Sequence, residues 1–287
     1  MTAADVAPFL FDVVGSMAIF VLAVLGLGVI ASMMGIFNFA HGEFLLLGAY
    51  TVYLAHEAGL PTWVGMIAAP FVVALIALGL ERTIIRRFYA TPVAAMISTF
   101  AIGLVLRESV RLLLGGQFYS VEAPLIGAFF IGDVALSKWR VVIILMTVIV
   151  LAASYLFLSR STLGLYVRAS LENPGLARAS AIPTSRVYAG TFAFGAALAG
   201  LAGGLMVPIY SLNADIGVPF LIKSFLAVMV GGVGSFEGSV LGASFIGAGA
   251  AGLPWAIKPV VADVLLFLVA ILFVKYRPTG LLSLWRK

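Results

Sequence analysis

A chain of 287 residues in which 63% are hydrophobic and only 10% charged has too little polar surface to enclose a soluble core, which excludes a globular catalytic domain. With no cysteine and only two histidines, His41 and His56, disulfides, thiolate metal sites and histidine clusters are excluded as well. The net charge of +5 reads as topogenic, not as a nucleic-acid footprint, because the basic residues stand between long apolar runs.

No Pro/Ser-rich linker or charge block divides the chain, so residues 1–287 are expected to form one membrane domain, an all-α polytopic fold. The opening MTAADVAPFLFD lacks Lys and Arg, carries Asp5 and Asp12, and runs into an apolar stretch longer than a signal-peptide core. It is expected to remain as a first membrane helix with its N-terminus outside.

A bilayer core about 30 Å thick needs roughly 20 apolar residues per helix. The first crossing is predicted at 13–37. It leads into GIFNFAHGEFLLLGAY at 35–50, which sets Asn38, His41 and Glu43 in an otherwise apolar run. The apolar stretch after it, 44–55, covers only about 18 Å as helix, so the second crossing, 43–58, must draw in part of the motif. Asn38, His41 and Glu43 are therefore expected at or below the cytoplasmic surface. Asn38 is placed to cap the second helix, Glu43 suits its positive end, and Gly42 permits close helix contact.

Further crossings are predicted at 62–80, 93–114, 141–158, 187–211, 219–234, 239–257 and 259–275, of which 219–234 is short, like 43–58, and reads as either a crossing or a re-entrant segment, parity favouring the crossing. Within 93–114, Glu108 and Arg111 are three apart and expected to form an intramembrane charge pair that fixes the helix, with Arg107 beside them. Lys223 and Lys258 lie near span ends and can snorkel, whereas Asp263, deeper in its span, should face protein. Gly195, Gly200, Gly203 and Gly204, and likewise Gly242, Gly247, Gly249 and Gly252, read as close helix packing. Eleven of the seventeen basic residues fall in 81–92, 159–186 and the C-terminal tail, so these three segments are expected inside the cell. Nine crossings from an outside N-terminus satisfy that, and leave Glu57, Glu122, Asp133 and Asp215 outside.

The longest cytoplasmic connection, 160–186, spaces Leu163, Tyr166, Val167 and Leu171 for a short amphipathic helix that Asn173-Pro174-Gly175 should break. Its surface suits either a partner protein or the lipid headgroups. The order Arg168-Ala169, Glu172-Asn173, Leu176-Ala177, Ile182 and Thr184-Ser185-Arg186 resembles the coupling loop of ABC importer permeases of the branched-chain amino acid family. NFAHGE at 38–43, LRES at 106–109, GGVGSFEG at 231–238 and RPTGLL at 277–282 resemble further motifs of that family, in its order. Two departures stand out. Ala181 occupies a position usually glycine, and Pro174-Gly175 replaces residues more favourable to a helix.

The resemblance implies a type II ABC importer permease with about eight or nine transmembrane helices, some short or broken. It implies a homologous permease as partner, two cytoplasmic ATPases, an extracytoplasmic solute-binding protein and a location in the inner membrane with the C-terminus cytoplasmic. The chain has no GxxxxGK[ST] loop, so ATP and magnesium belong to the ATPases and no cofactor is expected here. ATPase coupling falls to Arg168, Leu171, Glu172, Asn173, Leu176, Ala177, Arg178 and Ile182. The resemblance also suggests an internal repeat, with Asn38-Phe39 matching Ser235-Phe236 and Gly42 matching Gly238. Asn38, Phe39, His41, Gly42 and Glu43, with Gly232, Gly234, Ser235, Phe236 and Gly238, are then two helix breaks on one membrane side that line the solute path. Branched-chain or other small amino acids are the implied solutes, with urea and short amides the nearest alternative. From other classes, a proton-coupled carrier using His41 or Glu43 and an intramembrane hydrolase using Ser235 and His41 compete, the second without any nucleophile motif.

Overall fold

The computed structural model describes residues 6–89, 91–131, 134–277 and 280–281, so Asp133, Arg286 and Lys287 lie outside the described residues. The chain forms α1 (Val6–Met34), α2 (His41–Glu57), α3 (Thr62–Thr83), α4 (Pro92–Leu114), α5 (Lys138–Arg160), α6 (Thr162–Glu172), α7 (Pro174–Ala179), α8 (Thr184–Met206), α9 (Gly217–Gly231), α10 (Phe236–Gly252) and α11 (Pro259–Tyr276). Between α4 and α5 a small antiparallel hairpin, β1 (Ala128–Ile131) with β2 (Val134–Ser137), adds the one sheet that the all-helical expectation did not contain among the described residues.

Among the described residues seven helices are long and apolar enough to cross a membrane: α1, α3, α4, α5, α8, α11, and α10 extended by a 3-10 turn to Trp255. α2 and α9, with 17 and 15 residues, reach only about 26 and 22 Å, less than the bilayer core. Each predicted crossing has its helix, and the two short ones are the two that sequence marked as short. The ends follow local chemistry. Gly35, at φ +68°, stops α1 three residues before the predicted end. Pro92 and Pro259 open α4 and α11, where a missing N–H costs nothing. Residues 207–211, assigned from sequence to the sixth crossing, lie beyond the end of α8.

α1 and α8 form the centre of the bundle: 78% and 72% of their most apolar windows are buried, against 17% for α11 on the periphery. Lipid tails are as apolar as leucine, so backbone proximity decides which helices sit inside. A Cβ at Gly26 of α1 would lie 2.1 Å from the Gly195 carbonyl oxygen of α8, and one at Gly203 of α8 would lie 2.0 Å from that of Leu45 in α2. The packing role expected for these glycines holds. Gly242 likewise brings α10 onto Ala227 of α9, and Gly247 brings it onto Met17 of α1.

Candidate functional site

After Gly35 the chain runs without helix for five residues and then starts α2 at His41. Gly35 lies beside Leu171 of α6, at the C-terminal end of α1. His41, in contrast, is fully buried with its Nε2 2.7 Å from the carbonyl oxygen of Ala23. Ala23 is eleven residues before Met34, about 16 Å up the axis of α1. Residues 36–40 therefore climb into the bundle, and α2 begins near mid-depth. This corrects the expectation that Asn38, His41 and Glu43 sit at or below the cytoplasmic surface. Counting hydrophobic length located the shortage of helix but not its remedy, an extended segment whose polar groups are satisfied inside protein. Phe39 N–H donates to Thr99 Oγ1 of α4 at 3.1 Å, and Asn38 Oδ1 accepts from Ala40 N–H at 3.0 Å. Asn38 thus closes a turn ahead of α2, and no side chain caps that helix.

α9 begins at the same level. A Cβ on Gly42 would lie 2.5 Å from the Gly217 carbonyl oxygen, and one on Gly217 would lie 2.2 Å from that of Gly42, so the two helix starts touch backbone to backbone. From there they diverge. Phe225 of α9 meets Phe37 and Phe39, with ring centroids 4.8 and 5.7 Å apart, in the segment that precedes α2. Tyr53 of α2 meets Tyr119, at 4.5 Å, in the connection that follows α4. That connection is tied to 207–216 by reciprocal hydrogen bonds between Tyr119 and Leu212. Each short helix is thus completed by a non-helical segment, 35–40 for α2 and 207–216 for α9, and two positive helix ends converge at Gly42 and Gly217. The predicted crossing 219–234 is thus a helix of 15 residues preceded by the non-helical 207–216.

α4 holds both helix starts. Arg107 forms an ion pair with Glu43, its Nε donating to Oε1 at 3.1 Å, and Gly103 makes room for that carboxylate. One turn on, Arg111 binds Asp215, just ahead of α9, at 2.6 Å. Arg111 also reaches Glu108 at 3.1 Å, so the expected pair exists, but both side chains are exposed, near the end of α4. The buried pair is Arg107 with Glu43. Sequence reasoning assigned neither partner to the other, although the one acidic side chain in the 38–43 motif needed a base. Lys223 does not snorkel: it binds Asp263 of α11 at 2.9 Å and lies over the Phe20 ring. Asp263 is thereby paired with protein, while about half of its side chain stays exposed, so the expectation that it faces protein holds only in part. Asn38 Nδ2, His41 Nδ1 and Glu43 Oε2 are buried with no hydrogen-bond partner among the described residues. At the start of α9, a cavity of about 430 Å³ is lined by Ser16, Phe20, Tyr210, Asn213, Asp215 and Lys223 among others.

The second break is of another kind. Ser235 Oγ accepts from Gly238 N–H at 3.1 Å and caps α10, while Gly232 and Gly234, at φ +110° and +93°, form the tight turn before it. Gly238 packs against Gly231. Gly234, Ser235 and Phe236 share a cavity of about 450 Å³ with Arg168, Leu171 and Glu172. In depth, the counterpart of Gly42 is Gly217 and not Gly238. Ser235-Phe236 looks like Asn38-Phe39 in sequence, but Ser235 caps its helix whereas Asn38 closes a turn ahead of one.

The 161–183 connection folds as a two-helix elbow. Ser161 caps α6, accepting from Gly164 N–H at 3.0 Å, and Asn173 caps α7, accepting from Leu176 N–H at 2.9 Å. Asn173-Pro174 breaks the helix as expected, since Pro174 suits only a first helical position. Leu163, Leu165, Leu171 and Leu176 are exposed. Glu172 and Arg178 are exposed beside them, Ile182 is half-buried, and Arg168 turns back to the Leu158 carbonyl. Ala177 is buried and belongs to the attachment of the elbow, not to an exposed apolar knob. Ala181 adopts φ +60°, the sole non-glycine residue with positive φ among those described.

A family model described as "Branched-chain amino acid transport system / permease component" matches residues 9–274. BraD of Pseudomonas aeruginosa, described as a high-affinity branched-chain amino acid transport system permease protein, is 30% identical over 280 residues, covering 92% of this chain and 91% of the relative. LivH of Escherichia coli K12, described in the same words, is 29% identical with the same coverage. A probable LivH of Methanocaldococcus jannaschii is 26% identical over 283 residues, covering 91% and 88%. The solved structure of PsaBC from Streptococcus pneumoniae in complex with Fab aligns at TM-score 0.49 and 16% identity, over 91% of this chain and 90% of that one. With nearly its whole length matched, the chain belongs to the family of permease components of branched-chain amino acid transport systems.

Proposed function

We propose that this chain is the membrane subunit of an ATP-driven importer and that, with a homologous permease, it forms the path for branched-chain or other small amino acids. The observation that carries the path is the meeting of α2 and α9 at Gly42 and Gly217, beside three unpartnered buried polar atoms. Helices that stop inside a bundle leave positive ends and free backbone groups where a carboxylate can be held, and transporters put their solute there. Asn38, Phe39, His41, Gly42 and Glu43 supply that break. The cavity of about 430 Å³ at Asp215 and Lys223 offers an acid, a base and the Phe20 face near the same place, which suits a zwitterion with an aliphatic side chain.

The elbow α6–α7 is the coupling surface. Its exposed leucines, with Glu172 and Arg178, fit a groove on a cytoplasmic ATPase. Leu171 lies 3.6 Å from the position a Gly35 Cβ would take, and Arg168, Leu171 and Glu172 share a cavity with Gly234, Ser235 and Phe236, in the break formed by Gly232, Gly234, Ser235, Phe236 and Gly238. Displacing the elbow would move the end of α1, where the chain turns toward α2, together with the start of α10. The orientation that follows from the basic connections has the N-terminus outside and the C-terminus in the cytoplasm of an inner-membrane protein, with a binding protein delivering solute from outside.

A proton relay through His41 finds less support. Nε2 faces a carbonyl, which only accepts, so the proton sits on Nε2 and the ring is committed to the Ala23 contact. Reconstitution into proteoliposomes with the partner permease, ATPases and binding protein tests the proposal. Vanadate-sensitive, binding-protein-dependent leucine uptake is expected. Uptake by this chain alone under an ion gradient refutes it, and preference for urea over leucine refutes the solute assignment.

A further inference from the structure

The arginines at the inner ends of α3 and α8 are not spent on topology alone. Arg82 and Arg86, from the end of α3 and the 3-10 turn after it, and Arg178 and Arg186, flanking the start of α8, line one cavity of about 930 Å³. None of the four makes an ion pair or side-chain hydrogen bond among the described residues. Glu81 is the acidic group of that lining: its Oε1 accepts from the Tyr89 hydroxyl at 2.8 Å and its Oε2 is enclosed in protein, so it offsets one guanidinium and leaves a surplus of positive charge.

Two further features select the ligand. Pro183, Thr184 and Ser185 bring the N-terminus of α8, a 23-residue helix, into the same lining, where its positive end and the Ser185 hydroxyl add donors for an anion. The cavity floor is apolar, made by Leu78, Ala189 and Ala193, and it is continuous with the outer face of α3. Phe71, Leu75, Leu78 and Arg82 succeed one another at helical spacing, and Phe71 and Leu75 are 66% and 70% exposed. A free phosphate would use the charge and leave that stripe bare, whereas a molecule with a phosphate head and long alkyl tails would use both.

We propose that this cavity binds the headgroup of an anionic phospholipid, its phosphodiester among Arg82, Arg86, Arg186 and the start of α8, with its acyl chains along Leu78, Leu75 and Phe71. The proposal rests on the orientation given above only for which leaflet supplies the lipid, and binding in detergent does not depend on it. The lipid would brace the junction between α3 and the coupling elbow.

Full-length protein in detergent is incubated with phosphatidylglycerol or phosphatidylcholine of matched acyl chains, and bound lipid is counted by native mass spectrometry. Phosphatidylglycerol is expected to be retained at least 10-fold more strongly than phosphatidylcholine, and R82Q/R86Q is expected to abolish the preference while R82K/R86K keeps most of it. Size-exclusion profiles matching wild type establish that the variants are folded. Equal retention of the two lipids overturns the proposal. Displacement of phosphatidylglycerol by millimolar inorganic phosphate makes the site a free-phosphate site and overturns the lipid assignment. If R82Q/R86Q leaves retention unchanged and instead lowers ATPase co-purification, the cavity is a protein-docking surface and the proposal fails.

Discussion

Arg107 and Glu43, 64 residues apart, form a buried ion pair that fixes α4 against the start of α2, with Glu43 1% exposed. Removing one member of such a pair strands the other, which costs roughly 3–5 kcal/mol, whereas replacing both by apolar residues is often neutral. R107M and E43M are each expected to lower the detergent thermal midpoint sharply, and E43M/R107M to restore most of it. Additive losses in the double variant would show that the two side chains act separately. Transport by a stable double variant would further establish that the pair supports the path without contacting solute.

The positions where sequence and structure part company share one cause. Helix length, the break at Asn173-Pro174 and the glycine contacts of α8 are local or periodic, and periodic patterns are legible in one dimension. Arg107 with Glu43, Lys223 with Asp263 and Gly42 with Gly217 join elements far apart in the chain, where spacing carries no information. The same gap explains the misplaced depth of His41: apolar count gives the length of a helix, but only the contact with Ala23 tells where it starts.

At the meeting of α2 and α9 the contact is backbone on backbone, so even one methyl group has nowhere to go. G42A would put Cβ 2.5 Å from the Gly217 carbonyl oxygen, and the backbones must separate. Overpacking of this kind costs about 1–3 kcal/mol, and more where neither side yields. G42A and G217A are each expected to abolish uptake and lower stability. G190A is the control, since its Cβ would enter open space and uptake should stay at the wild-type level. Equal effects at all three positions would refute a specific contact.

Ala181 turns the chain from α7 into α8 at φ +60°, a conformation that costs an alanine roughly 1 kcal/mol relative to glycine. A181G is therefore expected to raise stability by about that amount, visible as an upward shift of the thermal midpoint. A181V, β-branched at the same dihedral angle, should be clearly destabilised. A chain indifferent to both substitutions would mean that the elbow does not hold this turn in solution.

Leu176 and Ala177 are neighbours on α7 with opposite surroundings, and that contrast separates coupling from folding. Leu176 is 64% exposed and Ala177 is 3% exposed. An exposed substitution away from caps and pairs changes stability by no more than about 0.5 kcal/mol, so L176D should fold, enter the membrane and retain its partners. Its charge would nevertheless enter an apolar groove on the ATPase, and solute-stimulated ATP hydrolysis should fall to the basal rate, as it should in E172R, which reverses a charge on the same surface. A177D buries an unpaired carboxylate between the elbow and the bundle, and its expected result is lost folded protein. Wild-type solute-stimulated ATPase activity in L176D and E172R would remove the elbow from the coupling pathway. Loss of activity in A177D together with normal folding would place the critical contact on the buried side of α7.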